Sequence, residues 1–134
     1  MKLIIFTDGA SRGNPGPASY GFTISDGEGK VVYEKGKCIG ITTNNVAEYT
    51  GVLEAFKWIK ENIKKKAQIS LFCDSKLAAE QLSGRYKVKA LHLKPIIQEI
   101  QFLAIELGGI TFTHVPRERN ARADALANEA LDSC

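Results

Sequence analysis

Residues 2–7 are near-continuously apolar, the signature of a buried strand. β-Branched and aromatic residues fill 20–25 and 31–39, with Asp26-Gly27-Glu28-Gly29 between them as a turn. Three strands joined by such short connections are expected to run antiparallel. The period then changes: Val52, Leu53, Phe56, Ile59 and Ile63 recur at helical spacing, which predicts a helix over 46–63. Asn45 can cap it, with Glu48 at the third helical position of a capping-box pattern. Ile69-Ser70-Leu71-Phe72-Cys73 reads as a buried strand, followed by Asp74-Ser75 and a short helix through Leu82. Pro95 suits the first turn of a longer helix, whose apolar face carries Ile96, Ile97, Ile100, Leu103, Ala104 and Leu107 and which Gly108-Gly109 stops. Ile110 to His114 alternate as a last strand, and Ala123, Leu126, Ala127, Ala130 and Leu131 mark a closing helix.

The predicted order is β-β-β-α-β-α-α-β-α. Strands separated by helices should be parallel through right-handed crossovers. The expected fold is therefore α/β, a mixed five-stranded sheet of three antiparallel strands followed by parallel ones, with helices on both faces. At 134 residues, 44% of them hydrophobic, the chain suits one domain over residues 1–134 with a substantial core. No apolar run approaches the roughly 18 residues of a membrane span, so no membrane partner is expected. Cys38, Cys73 and Cys134 are widely spaced, with no zinc-like pairing, and are expected to be reduced thiols in a cytoplasmic protein.

The net charge of +3 is too small to hold a polyanion by itself, so the placement of charge matters more. Lys57, Lys60, Lys64, Lys65 and Lys66 crowd one helix end, and Arg85, Lys87 and Lys89 form a second group. Either group could touch nucleic acid, or simply suit a helix C-terminus and a solvated face.

Four acids stand beside strand ends or helix starts: Asp8, Glu48, Asp74 and Asp124. Singly, each has an ordinary structural explanation, as a turn former, capping-box acid, N-cap or first-turn acid respectively. Together they converge on one edge, because parallel strands place their C-termini and the following helix starts on the same side of a sheet. Carboxylates gathered there repel unless cations neutralise them, and hard oxygen ligands point to Mg²⁺ or Mn²⁺.

With these residues in place, the sequence resembles type 1 ribonuclease H. The matching pieces are Thr7-Asp8-Gly9-Ala10 with Gly13-Asn14-Pro15-Gly16-Pro17, Thr42-Thr43-Asn44-Asn45 followed by Glu48, Asp74-Ser75, and His114 with Asn120 ahead of Ala123-Asp124. They occur in family order across nearly the whole chain. The resemblance implies endonucleolytic hydrolysis of the RNA strand of an RNA/DNA hybrid, leaving 3′-hydroxyl and 5′-phosphate ends. It implies two cations, Asp8 bridging both, Asp124 serving the water-activating one and Glu48 with Asp74 the one nearer the leaving oxygen. His114 matches a mobile histidine that assists proton transfer or product release. Gly9, Asn14, Thr43, Asn44, Asn45, Lys76 and Asn120 are the candidate substrate-binding residues, and short amides suit base edges and 2′-hydroxyls without adding charge. A monomer is expected.

The chain departs from the best-known bacterial pattern in two places. Only Ser83 to Ala90 fills the position of a longer, basic, Trp-containing protrusion, and Lys76 stands where Gln often does. Weak hybrid binding follows, with Lys87 and Lys89 as candidate phosphate contacts. Trp58 reads as structural, and no hybrid-binding module is expected ahead of the domain. Among rivals, an aspartyl-phosphate phosphatase needs a second Asp where Ala10 stands. A non-catalytic hybrid-binding module is disfavoured by four intact acids, and the TTNN block favours type 1 over other nucleases of the superfamily.

Overall fold

The computed structural model describes residues 1–84, 87 and 90–134. Its strands are β1 (Lys2–Ser11), β2 (Gly16–Asp26), β3 (Val31–Thr42), β4 (Gln68–Cys73) and β5 (Ile110–His114). Its helices are α1 (Asn44–Asn62), α2 (Lys76–Leu82), α3 (Lys94–Glu106) and α4 (Ala121–Asp132). They form one five-stranded sheet in the order β3-β2-β1-β4-β5. β1 to β3 are antiparallel, and β4 and β5 join parallel to β1, as the periodicities predict.

The sheet carries helices on both faces because successive residues of a strand point to opposite sides. Tyr20 lies beneath Gly51 of α1, whereas a Cβ on the adjacent Gly21 would stand 2.4 Å from the Ala123 carbonyl of α4. A Cβ on Gly36 of β3 would likewise meet the Leu126 carbonyl at 2.3 Å. The two glycines let α4 rest directly on β2 and β3, and the Ser19 hydroxyl donates to the Ala127 carbonyl. On the other face Phe56 of α1 and Ile100 of α3 join Leu3, Ile5, Phe22 and Leu71 of the sheet in one core, all at 1% exposure or less. Burying a side chain of this size contributes roughly 1.5–3 kcal/mol.

Several local expectations are corrected. β1 does not stop at Thr7: its ladder with β2 continues from Asp8↔Gly21 to Ser11↔Ala18, so Asp8 lies within the strand. Turn-forming residue types are overridden there by the continued pairing with β2. The cap of α1 is Thr43, whose hydroxyl accepts from the Val46 N–H at 3.2 Å, and not Asn45. Glu48 therefore falls beyond the first turn and closes no capping box. Cys38 and Cys134 form a disulfide with 5.7 Å between their Cα atoms, which corrects the reading of all three thiols as reduced. Cys73 alone is free, and buried.

The lysine cluster of α1 is partly spent on α3. Lys60 pairs with Glu106 at 2.6 Å, and Lys57 with Glu99 at 3.7 Å. Trp58 stacks on Tyr33 with ring centroids 4.5 Å apart, in agreement with a structural role. Arg85 and Lys89 lie outside the described residues, and with them most of the basic group after Leu82. No described helix is long and apolar enough to cross a membrane.

Candidate metal centre

Register places three of the site residues. β1 and β4 run in parallel to the pair Thr7↔Cys73, so Asp8 and Asp74 stand side by side where the pairing of these two strands ends. β5 continues the row with Cys73↔His114, which puts His114, exposed, on the same edge. Ser75 caps α2 by accepting from the Ala78 N–H at 3.1 Å, which leaves the Asp74 carboxylate free of capping.

Glu48 arrives from α1. A Cβ on Gly9 would lie 2.4 Å from the Glu48 amide nitrogen, so only glycine lets that helix settle on β1. The Gly9 N–H donates to Asp8 Oδ1 at 2.9 Å and to Glu48 Oε2 at 3.1 Å. One donor thus holds two acids together. Oxygens of Asp8, Glu48 and Asp74 all lie within 4.8 Å of one another. Asp124, in the first turn of α4, comes within hydrogen-bonding reach of Asp8.

Charge repulsion in this cluster is severe. Burial, then Glu48, Asp74 and Asp124, push the Asp8 carboxyl up to about 8. Burial, then Asp74, push Glu48 up to about 8 as well, against the lowering effect of the Gly9 N–H. Glu48 Oε1 is buried without any hydrogen-bond partner. Anionic oxygens converging around an orphaned acceptor suit a hard divalent cation. A thiolate ligand does not enter, since burial foremost pushes the neighbouring Cys73 thiol up to about 12.

The remaining candidates divide into two groups. Asn14, Thr43, Asn44, Asn45 and Lys76 rim the same edge: Asn14 Oδ1 accepts from the Asn44 N–H at 3.1 Å, tying the loop after β1 to the start of α1, and Lys76 opens α2 just after Asp74. Asn14, Asn44, Asn45 and Lys76 are exposed. Gly9 and Asn120 are turned to internal work instead. The Gly9 N–H is occupied by carboxylates, and Asn120 is 1% exposed with its amide on the Thr7 carbonyl. Spacing arguments missed Arg117 and Arg119, which sit on a 3-10 turn between His114 and α4. Both are exposed and lack an ion-pair partner among the described residues, whereas Arg12 pairs with Asp132 and Arg122 with Glu34. The alternation Arg-Glu-Arg ahead of the Asn…Asp match was the available signal, hidden because linear clustering singles out runs of like charge.

A family model described as reverse transcriptase-like matches residues 6–130. The chain is 43% identical to the bifunctional protein Rv2228c of Mycobacterium tuberculosis over 99% of its own length, which is 36% of that protein. It is 42% identical to ribonuclease HI of Halobacterium salinarum, covering 98% of this chain and 65% of the relative. It thus spans about a third to two thirds of those two proteins. Against the ribonuclease H of Ruthia magnifica subsp. Calyptogena magnifica the identity is 35%, over 98% of this chain and 96% of the relative. Among solved structures, LC11-RNase H1 isolated from compost superimposes with a TM-score of 0.94 at 43% identity, covering 98% of this chain and 96% of that one. The same protein in complex with an RNA/DNA hybrid gives 0.93 at 42% identity, covering 98% of each chain.

Proposed function

The chain belongs to the type 1 ribonuclease H family, and on that premise we propose that it cleaves the RNA strand of RNA/DNA hybrids endonucleolytically, leaving 3′-hydroxyl and 5′-phosphate ends. The observation that carries the proposal is the convergence of Asp8, Glu48 and Asp74 oxygens within 4.8 Å, with Asp124 against Asp8. These four carboxylates are the residues that would hold Mg²⁺ or Mn²⁺, two ions with substrate bound. Such cations lower the pKa of an attacking water and neutralise charge on both in-line oxygens of a phosphodiester.

The protein's own contribution is placement. β1 and β4 hold Asp8 and Asp74 in one register, and the Gly9 N–H keeps Glu48 beside Asp8. His114 stands exposed at the same edge, where an imidazole can pass a proton to or from a departing product. Asn14, Thr43, Asn44, Asn45 and Lys76 present short polar groups and one cation to the substrate groove. Arg117 and Arg119 add exposed guanidiniums suited to phosphate. The proposed enzyme works as a monomer, in the cytoplasm, where the Cys38–Cys134 bridge would face reducing thiols.

The test is incubation of purified protein with end-labelled RNA/DNA hybrid, duplex RNA and duplex DNA in Mg²⁺, Mn²⁺ or EDTA. Cleavage of the hybrid RNA strand that needs a divalent cation is expected. Undiminished cutting in EDTA would remove the metal-dependent reading, and an inert protein in both metals would leave only a hybrid-binding module.

A further inference from the structure

Asn120 stands directly before α4 and is sealed from solvent. Its Nδ2 donates to the main-chain carbonyl of Thr7 at 2.8 Å, across 113 residues of sequence. Thr7 immediately precedes Asp8. The Asn120 carbonyl in turn accepts the N–H of Asp124 at 3.1 Å, the bond that opens the ladder of α4. One side chain and its own peptide therefore join the backbone beside one acid to the backbone of another.

We propose that Asn120 is a positioning residue that sets the spacing of Asp8 and Asp124 and thereby the cation-binding geometry of the cluster. The inference rests on the reading of those acids as a cation site. Two carboxylates at hydrogen-bonding range repel when both are ionised, so a tie is needed that resists the first turn of α4 moving away from β1. The glycine seats at Gly21 and Gly36 hold α4 against the sheet from Ala123 onward, and Asn120, the residue just before the helix, ties its start to β1. The chemistry of the tie also suits an amide. A cationic donor would compete with metal for the carboxylates, and an acid would add a fifth negative charge; an amide supplies a neutral donor.

Stability alone accounts poorly for this residue. Asn120 Oδ1 is buried with no partner, and so is Thr7 Oγ1. A buried acceptor left unpaired is destabilising, so truncating Asn120 relieves one penalty while losing one hydrogen bond. The change in stability should be small and the change in site geometry large.

The experiment titrates Mn²⁺ calorimetrically, without substrate, into the wild type, Asn120→Ala and the near-isosteric Asn120→Asp. Folding is checked by thermal melts in EDTA. Loss of an outer partner that orients metal ligands typically weakens affinity by about 10–100-fold, and a drop in that range is expected in both variants. Steady-state cleavage should show kcat falling with the hybrid KM within about twofold, as for an effect confined to the chemical step. Hydrogen exchange at the Asp124 amide should quicken. In an Asp124→Asn background, adding Asn120→Ala should leave Mn²⁺ affinity unchanged, because the ligand through which Asn120 acts has been neutralised. Folded Asn120 variants with wild-type affinity would overturn the inference, as would an undiminished effect in the Asp124→Asn background. Failure of the wild type to take up Mn²⁺ is a different result: it removes the cation-site reading, and this inference falls with it.

Discussion

Asp8 is the most crowded of the four acids, with three other carboxyls and burial all acting to keep it protonated. Asp8 and Glu48 are each held up to about 8, whereas in an unfolded chain they ionise near the ordinary carboxylate range. Between about pH 4 and pH 8 the folded state therefore binds more protons than the unfolded one, and stability falls as pH rises through that window. Thermal melts in EDTA should show a lower midpoint at pH 8 than at pH 5. Asp8→Asn should flatten that decline and raise the pH 8 midpoint by on the order of 5 °C, while abolishing cleavage, since an amide cannot balance cations. A variant with the wild-type pH dependence would mean that the cluster is not strained. His114 belongs to the same scale but to a different role. His114→Ala should slow turnover by about 10²–10⁴-fold, the usual worth of a positioned acid–base group, and leave measurable cleavage. Complete loss in a folded His114→Ala protein would instead make it a metal ligand or an indispensable base.

Among the elements, α4 matters most, because it carries Asp124 and packs on residues without side chains. A methyl on Gly21 would need space already taken by the Ala123 carbonyl at 2.4 Å and the Ala127 nitrogen at 2.6 Å, both backbone and neither able to swing aside. Gly21→Ala should cost about 1–3 kcal/mol in urea unfolding, the range for overpacking. It should also lower kcat at temperatures where the protein stays folded, because the helix must lift with its acid. Unchanged stability would show that α4 can shift on the sheet at little cost. The exposed Gly29 is the control: its φ is +85°, but nothing lies within 4 Å of the place a Cβ would take. Because Asn tolerates that backbone conformation, Gly29→Asn should leave both measurements near wild type.

For the whole molecule, the Cys38–Cys134 bridge closes 96 residues of sequence and pins the end of the chain to β3. A cross-link over a loop of that length stabilises by on the order of 4 kcal/mol in the chain-entropy view. Reduction, or Cys134→Ser, should therefore lower the melting midpoint clearly. Cleavage at moderate temperature should persist, because Asp124 lies in the first turn of α4 and the bridge just past its last, roughly 15 Å along the axis at about 1.5 Å per residue. Equal melting curves with and without reductant, with thiol titration confirming the oxidised state at the start, would show that the bridge adds nothing.

The sequence by itself determined the order and type of nearly every element, since the 2-residue and 3.6-residue periods are local and the apolar faces they mark must be buried. It also singled out the four acids and His114 as candidates, because strand ends and helix starts are readable and their edge follows from parallel connection. What only the tertiary structure decided are the matters that depend on partners far along the chain. Gly9 meets Glu48 across 39 residues, which brings a supposed capping-box acid beside Asp8. Asn120 reaches Thr7 across 113, which turns a supposed groove contact inward. Glu99 and Glu106 take up lysines that by spacing alone belonged to a basic patch. The disulfide is of the same kind: three cysteines at wide spacing carry no local sign of pairing, and it is the seat of α4 against β2 and β3 that brings the last residue to Cys38. Local pattern specifies what a segment becomes; which polar groups then meet is set by packing, because hydrogen bonds and ion pairs act over a few ångströms in space and have no fixed separation in sequence.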